Sequence, residues 1–262
     1  MTQIDFVPST PAQPVIHRAL PLRPVGQSVG HRVIDLRPRP TITAVIPTRN
    51  EADSLPAVLA AVRPFVDEIV IVDGASTDST MDVARELCPE AIVFSQSGRG
   101  KGNALREGFR AATSDIIVMM DADGSTDPNE IPRFVAALES GADFAKGSRH
   151  ILGGGSADFT RTRAFGNRVF TIAVNVLWRA KYSDLCYGYN AFWRALLNDV
   201  VVDCNGFEVE TLLNIRVLAA GKKIVEVPSF ELLRTAGESK LSAWRDGVRV
   251  LRTIVAERIR PQ

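Results

Sequence analysis

The sequence predicts an α/β fold: a single domain built on a mostly parallel sheet with helices on both sides. Three observations carry the prediction. Short β-branched runs alternate with helical patterns along the chain. The runs are predominantly apolar rather than alternating, as in strands covered on both faces. Each run is followed by small, polar or acidic residues, which is where an open α/β sheet binds ligands. A length of 262 residues and 28.5 kDa sits at the upper edge of what one hydrophobic core supports, so one domain with appendages is expected.

The elements follow in order. Strands are expected at Ile42–Ile46, Glu68–Val72, Ala91–Phe94 and Ile116–Met120, each leading into a helix, at Ala52–Val62, Ser79–Leu87, Asn103–Ala112 and Asn129–Glu139. Asp53, Ser79 and Asp127 read as N-caps, the last followed by Pro128 in the first turn. After Phe144 the rhythm breaks at Gly153-Gly154-Gly155. Helices at Arg163–Arg179, Glu208–Ala220 and Ser242–Ile259 and one more strand at Lys223–Val227 complete the reading. Seven of the 15 prolines fall in residues 1–40, which therefore read as an extended, flexible arm. The folded body is expected at 41–241 and an amphipathic C-terminal helix at 242–262.

Composition excludes several classes. The formal net charge is +1, divided into +3 on residues 1–40 and −2 on the remainder, which lacks the field of a dedicated nucleic-acid binder. The longest apolar run, Val169 to Trp178, is interrupted by Thr171 and Asn175 and falls well short of the ~20 residues needed to span a bilayer. The N-terminus does not read as a secretory signal. Three cysteines, Cys88, Cys186 and Cys204, form no close pair and point to reduced thiols in a cytoplasmic protein rather than to disulfides or zinc.

The strand exits hold the chemistry. They read Pro47-Thr48-Arg49-Asn50-Glu51, Asp73-Gly74-Ala75-Ser76-Thr77-Asp78, Ser95 to Asn103, and Asp121-Ala122-Asp123-Gly124-Ser125. Asp121 and Asp123, two carboxylates behind a buried strand, can converge on a divalent cation. Oxygen ligands without histidine or cysteine suit Mg2+ or Mn2+ bridging to a diphosphate. The loop Ser97 to Gly102 is not a Walker loop, because Gly102 follows Lys101 where a hydroxyl is required. It remains a basic loop before a helix N-terminus, suited to an anion.

Seven ordered stretches carry a resemblance: Pro47 to Glu51, Val72 to Asp78, Gly100-Lys101-Gly102, Asp121-Ala122-Asp123, Gly147-Ser148-Arg149, Asp184 to Phe192, and Gly237 to Leu241. Their order resembles family 2 glycosyltransferases, and within these the dolichyl- or polyprenyl-phosphate mannosyltransferase and glucosyltransferase branch. The resemblance implies a glycosyltransferase A-type fold and a metal-dependent, inverting transfer of mannose or glucose from a nucleotide diphosphate sugar, GDP-mannose or UDP-glucose, to a polyprenyl phosphate. It implies nucleotide-sugar contacts from Pro47, Arg49, Glu51, Asp73, Lys101 and Asp121, with Asp78 bracing the loop behind them. Asp121, Asp123 and Ser125 would hold Mg2+ or Mn2+, although Ser125 stands where those enzymes usually carry Gln. Arg149, Arg161, Arg234 and Lys240 would meet acceptor or donor phosphate, and the catalytic set would be Asp123, Arg149, Asp184 and Glu210. A cytoplasmic protein, peripheral at the inner face of the membrane for a lipid acceptor, is implied, with a second copy or a membrane protein as the remaining partners.

Two features depart from the pattern. Asn190 stands where an arginine is expected, so one phosphate contact is expected to be lost. Glu208 and Glu210, or Asp184, could serve as general base in an alternative transfer to a hydroxyl of a sugar or small metabolite; Glu208 and Glu210 equally suit a helix N-terminus. In the last helix Leu241, Trp244, Val248, Leu251 and Val255 form one apolar stripe. Core packing is expected for it, because Asp246 and Glu257 dilute the basic face; the alternative is an anionic membrane surface.

Overall fold

A computed structural model describes residues 38–236 and 242–260. Contacts separate Met1–Pro38 from Arg39–Gln262; the expected arm, but for its last three residues, and Lys240 lie outside the described residues.

The body is a single α/β domain. Strands β1 (Ile42–Thr48), β2 (Glu68–Asp73), β3 (Ile92–Ser95) and β4 (Ile116–Met119) pair in parallel, with helices α1 (Leu55–Val62), α2 (Thr80–Leu87) and α3 (Lys101–Ala111) between them. Then come α4 (Ile131–Glu139), β5 (Phe144–Ser148), the short β6 (Gly155–Ser156), α5 (Arg161–Trp178), β7 (Asn190–Trp193), α6 (Val209–Ala219), β8 (Ile224–Pro228), β9 (Phe230–Glu231) and α7 (Ala243–Ile259). The sheet order is β3-β2-β1-β4-β7-β5-β8, with β6 and β9 forming a separate pair.

The two-residue period of a strand explains the two-sided core. Ile42, Ala44 and Ile46 face α1 and α4, against Leu55, Leu59, Phe134 and Leu138. Val45, Val70 and Val72 face the opposite way, against Leu105 and Phe109 of α3 and Leu213 of α6. Both faces are covered, which is why these strands are predominantly apolar on both sides.

Differences from the sequence reading lie at element ends and in the second half. Asp127 caps as expected, accepting from Asn129 N at 3.0 Å, but opens a tight turn before α4. Asp53 and Ser79 make no cap bond; α1 starts after Ser54, and the Asp78 carboxylate takes the Thr80 N–H at 3.0 Å instead. β5 and β7 were not expected. β5 carries the fully buried Lys146, which breaks its apolar run; the ammonium donates to Gly147 O at 3.0 Å and Tyr187 O at 3.3 Å, and burial pushes it below the usual lysine range. β7 is four residues long and begins with Asn190, also fully buried, whose amide donates to Tyr187 O at 3.1 Å. Position 190 is thus a core position, paired across the sheet with Lys146 and Met119, and Asn190 has no place among phosphate contacts.

β7 runs antiparallel to both its neighbours, so its entry loop arrives at the sheet edge where the parallel strands leave. This single reversal brings Asp184 to Gly188 to the exits of β4 and β5.

The last helix inverts its expected orientation. Val250 and Ile254 are buried against Val174 of α5 and Ile215 of α6. Asp246 and Glu257 face inward as well: Asp246 accepts from Ser242 N at 2.8 Å, and Glu257 from Arg216 Nη2 at 2.7 Å. Trp244, Leu251 and Val255 are exposed. The acids taken as diluting the basic face point inward, which removes the reason for core packing of the stripe. No helix among the described residues is long and apolar enough to cross a membrane.

Candidate active site

The exits of β1 to β5, the entry loop of β7, and the first turns of α3, α5, α6 and α7 enclose a cavity of about 640 Å3. Thr48, Asp73 and Ser95 end their strands in register, so the polar segments that follow them share one rim.

Pro47, Arg49, Glu51, Gly74 and Gln96 line one end. The chain there turns through left-handed backbone at Asn50 and Ala75, with φ of 51° and 62°. Such conformations cost about 1 kcal/mol or more each in a residue other than glycine and persist only where neighbours enforce them. Enforcement is visible: Asn50 Oδ1 accepts from Thr77 N at 2.7 Å, and Gly74 N donates to Thr48 O at 2.7 Å. Asp73 is buried and accepts from Ser76 N at 3.0 Å and from the Ser76 hydroxyl. It braces the turn from behind, next to Gly74 on the cavity wall. Asp78 holds the same loop through Ala52 N at 3.2 Å.

At the centre Lys101 Nζ lies 2.6 Å from Asp121 Oδ1 and 2.8 Å from Glu210 Oε1. Burial opposes the ammonium charge, but the two carboxylates more than offset it and hold Lys101 well above the usual lysine range. Gly188 faces this group: a Cβ there would lie 3.0 Å from Lys101 Nζ and 3.4 Å from Asp121 Oδ2. Asp123 is buried, accepting from Arg234 Nη1 at 2.8 Å and from Ser125 N at 3.0 Å. The Arg234 segment is pinned there by Thr235 N on Asp123 O at 3.0 Å and Leu232 N on Ser125 O at 2.8 Å. Gly124, at φ 77°, permits that approach, since a Cβ would sit 2.2 Å from Thr235 Oγ1.

Beyond lies a second charged group. Arg149 is gripped by Asp184 (Nε to Oδ2 2.7 Å, Nη2 to Oδ1 3.0 Å) and Glu231 (3.0 Å), between the rings of Phe159 and Tyr187 at 4.1 and 4.5 Å. Burial alone would raise the Asp184 pKa, but the charge and bonds of Arg149 bring it down to about 2. Asp184 also accepts from Asn167 Nδ2 at 3.0 Å and is fully buried. It has neither access nor basicity for an acceptor proton, so the base role is withdrawn. Arg149 reaches the cavity wall, but with its charge engaged by two carboxylates.

The remaining predicted residues separate. Glu210 lines the cavity, whereas Glu208 is off it, accepting from Gly206 N at 3.0 Å in its own turn. Arg234 and Ser125 line it. Arg161 is exposed at the start of α5 and off the wall; two residues on, Arg163 is on it, bonded to Asp158 at 2.9 Å. Arg163 and Glu231 went unnoticed in the sequence, and Gln96 was read only as part of the third strand exit. No period from Arg161 flags Arg163, since residues two apart on a helix lie on different faces, and Glu231 follows a strand exit with no recognisable pattern.

Asp121, Asp123 and Ser125 present only oxygen, the donor chemistry of Mg2+ or Mn2+. No group of three His, Cys, Asp or Glu side chains converges as a complete cation site among the described residues. A cation here would need further ligands from a diphosphate and water, as Mg2+ commonly does. The residues fit a shared cation, not a closed cage.

The Glycosyl transferase family 2 model matches residues 43–201. The chain belongs to glycosyltransferase family 2. This family 2 glycosyltransferase is 32% identical to an undecaprenyl-phosphate mannosyltransferase of Micrococcus luteus, over 77% of this chain and 87% of that protein. It is 32% identical to a polyprenol monophosphomannose synthase of Mycolicibacterium smegmatis, over 82% and 86%. A solved glucosyl-3-phosphoglycerate synthase from Mycobacterium tuberculosis, in complex with Mn2+, UDP and phosphoglyceric acid, shares the fold with a TM-score of 0.69 at 22% identity, over 85% of this chain and 80% of that one. The family 2 enzyme therefore has the glycosyltransferase A-type fold that the motifs implied.

Proposed function

We propose that the enzyme transfers mannose or glucose, with inversion, from a nucleotide diphosphate sugar to a polyprenyl phosphate on the cytoplasmic side. The observation that carries this reading is the pairing of Asp121 and Asp123 with Lys101 and Arg234 in one cavity with the β1 and β2 exits. The named acceptors of the relatives support the lipid phosphate.

The donor's base and ribose would lie against Pro47, Arg49 and Glu51, and its diphosphate would approach Lys101 and Arg234. Asp121, Asp123 and Ser125 would hold Mg2+ or Mn2+, which when bound neutralises the diphosphate leaving group. Lys101 and Arg234 hydrogen-bond the same carboxylates and would add donors where negative charge develops as the sugar leaves. A phosphate acceptor is anionic at neutral pH and needs no base. That suits this cavity, where Glu210, Glu231 and Asp123 are each already bonded to a cation.

One observation favours a second reading, transfer to a hydroxyl: Glu210 remains on the wall. The test is product formation from labelled GDP-mannose and UDP-glucose with polyprenyl phosphate and Mg2+ or Mn2+. Lipid-linked sugar from either donor supports the proposal, and donor turnover only with hydroxyl acceptors overturns it.

A further inference from the structure

We infer that Gln96 reads the base of the donor nucleotide: its side-chain amide is locked as a hydrogen-bond donor and selects a base with a carbonyl edge, uracil or guanine, over cytosine or adenine. The inference rests on the donor site proposed above and narrows what that site accepts. Gln96 follows β3 and lines the cavity at the same end as Pro47, Arg49 and Gly74. Its main chain is fixed by Gln96 N on Asp73 O at 2.9 Å. Its side chain turns over Gly74, where a Cβ would lie 3.1 Å from Gln96 Nε2 and 3.4 Å from Arg49 Cβ. Gly74, with no side chain of its own, leaves the space between the Gln96 amide and the start of the Arg49 side chain to the cavity. A base lying against Pro47 and Arg49 would bring its edge to that amide.

Which end of the amide faces the cavity follows from a relay of bonds running back into α3. Arg106 has only donors, so Asn103, which it hydrogen-bonds, must present Oδ1 to it. Asn103 Nδ2 is then the donor on the other side, and both of its N–H groups are used, on Glu107 Oε1 and Gln96 Oε1, each at 2.9 Å. Glu107 accepts in turn from the Ser97 hydroxyl at 2.6 Å and from Ser97 N at 3.0 Å. The hydroxyl bond foremost keeps its carboxyl below the usual glutamate range, so it stays an acceptor at neutral pH. Asn103 is buried and has no water to turn to instead. Gln96 Oε1 is therefore engaged inside the protein, and Nε2, which donates to no protein atom among the described residues, is left facing Gly74 and the cavity. An amide N–H there pairs with O4 of uracil or O6 of guanine, and meets the amino group of cytosine or adenine donor to donor. A site fixed as a donor rejects a ligand that brings a second donor, because both groups are then left unpaired.

The test is calorimetric titration of the full chain with UDP, GDP, CDP and ADP in the presence of Mg2+, which needs neither acceptor nor turnover. Wild type is expected to bind the tighter of UDP and GDP at least about tenfold more strongly than CDP or ADP. Gln96→Glu keeps the size of the side chain, gives one oxygen to the Asn103 bond and offers the other to the base as an acceptor. It should lower that ratio by about tenfold or more. Asn103→Asp removes the donor that holds Gln96 Oε1, so the amide turns over and Nε2 bonds the new carboxylate. The ratio should shift in the same direction, although residue 103 touches no ligand, whereas a purely structural role would weaken all four nucleotides alike. Melting temperatures near wild type would confirm that both variants fold, and Gln96, half-buried on a loop, carries the decisive result alone if Asn103→Asp does not. Equal wild-type affinity for all four nucleotides, or a ratio that Gln96→Glu leaves unchanged, would overturn the inference and leave the donor site standing. No binding of any of the four with Mg2+ would overturn the donor site itself, and the inference with it.

Discussion

Arg234 reaches across from the segment after β9 to hydrogen-bond Asp123 at 2.8 Å, so the second carboxylate of the D-x-D pair is held by a cation from a part of the chain 111 residues away. Replacing Arg234 with alanine removes a donor from the place where leaving-group charge develops. A fall in kcat/KM of about 100- to 1,000-fold is expected, with Arg234→Lys recovering part of it. Initial rates at saturating metal measure this, and a wild-type rate for the alanine variant would refute the assignment.

Asp121→Asn leaves Lys101 with Glu210 alone. Stabilisation by nucleotide sugar plus Mg2+ or Mn2+ should be lost, while the melting temperature without ligand stays near wild type. A thermal-shift titration of donor, with and without metal, reads both quantities. Undiminished metal-dependent stabilisation would remove Asp121 from the cation site.

Gly188→Ala places a methyl group 3.0 Å from Lys101 Nζ. Because Lys101 is held by two carboxylates, it cannot withdraw without loosening both, and kcat/KM should fall about tenfold to a hundredfold. Urea unfolding should change little, since the crowded group lines a cavity. Equal losses of rate and stability would instead indicate general damage.

Arg149→Gln strands the buried Asp184 carboxylate, and loss of about 3–5 kcal/mol of stability is expected. Asp184 titrates at about 2 when folded against an ordinary 3.8. A depressed pKa contributes stability above the unfolded value and loses it as pH falls through the folded value. That contribution, roughly 2 kcal/mol, should therefore be complete at neutral pH and fade between about pH 4 and pH 2. Urea titrations of wild type and Asp184→Asn across that window should converge as the pH falls; a gap that stays constant would contradict the ion-pair origin.

Glu210→Gln tests the acceptor. For a lipid-phosphate acceptor the variant should lose less than about tenfold in kcat, through a weakened Lys101 alone. A loss of 1,000-fold or more with donor affinity intact would fit removal of a general base and favour the hydroxyl reading.

The first half of the fold was legible because its signals are local. β1, β2 and β4 are predominantly apolar since both faces are covered, and the exits carry turn chemistry that reads in any context. The D-x-D pair, the Lys101 loop and the β1 exit were found that way, and all three line the cavity. β5 and β7 were missed because one carries a buried lysine and the other is four residues starting with asparagine; neither shows a strand period. The N-caps at Asp53 and Ser79 failed because longer-range bonds from Asp78 and Thr80 already serve that loop.

Residue type and local order were enough to indicate a family 2 glycosyltransferase, its sheet and its candidate cation pair, since these depend on neighbours a few positions apart. Pairings over long distances came only from the folded chain. Asp184 and Arg149 became one buried pair and Arg234 met Asp123, because the antiparallel β7 and the segment after β9 fold onto the β4 and β5 exits. The apolar stripe of the last helix was plain in the sequence, but its direction was not. A 3.6-residue period identifies two faces without saying which one is buried, and here the inward acids Asp246 and Glu257, each with a partner, decided it.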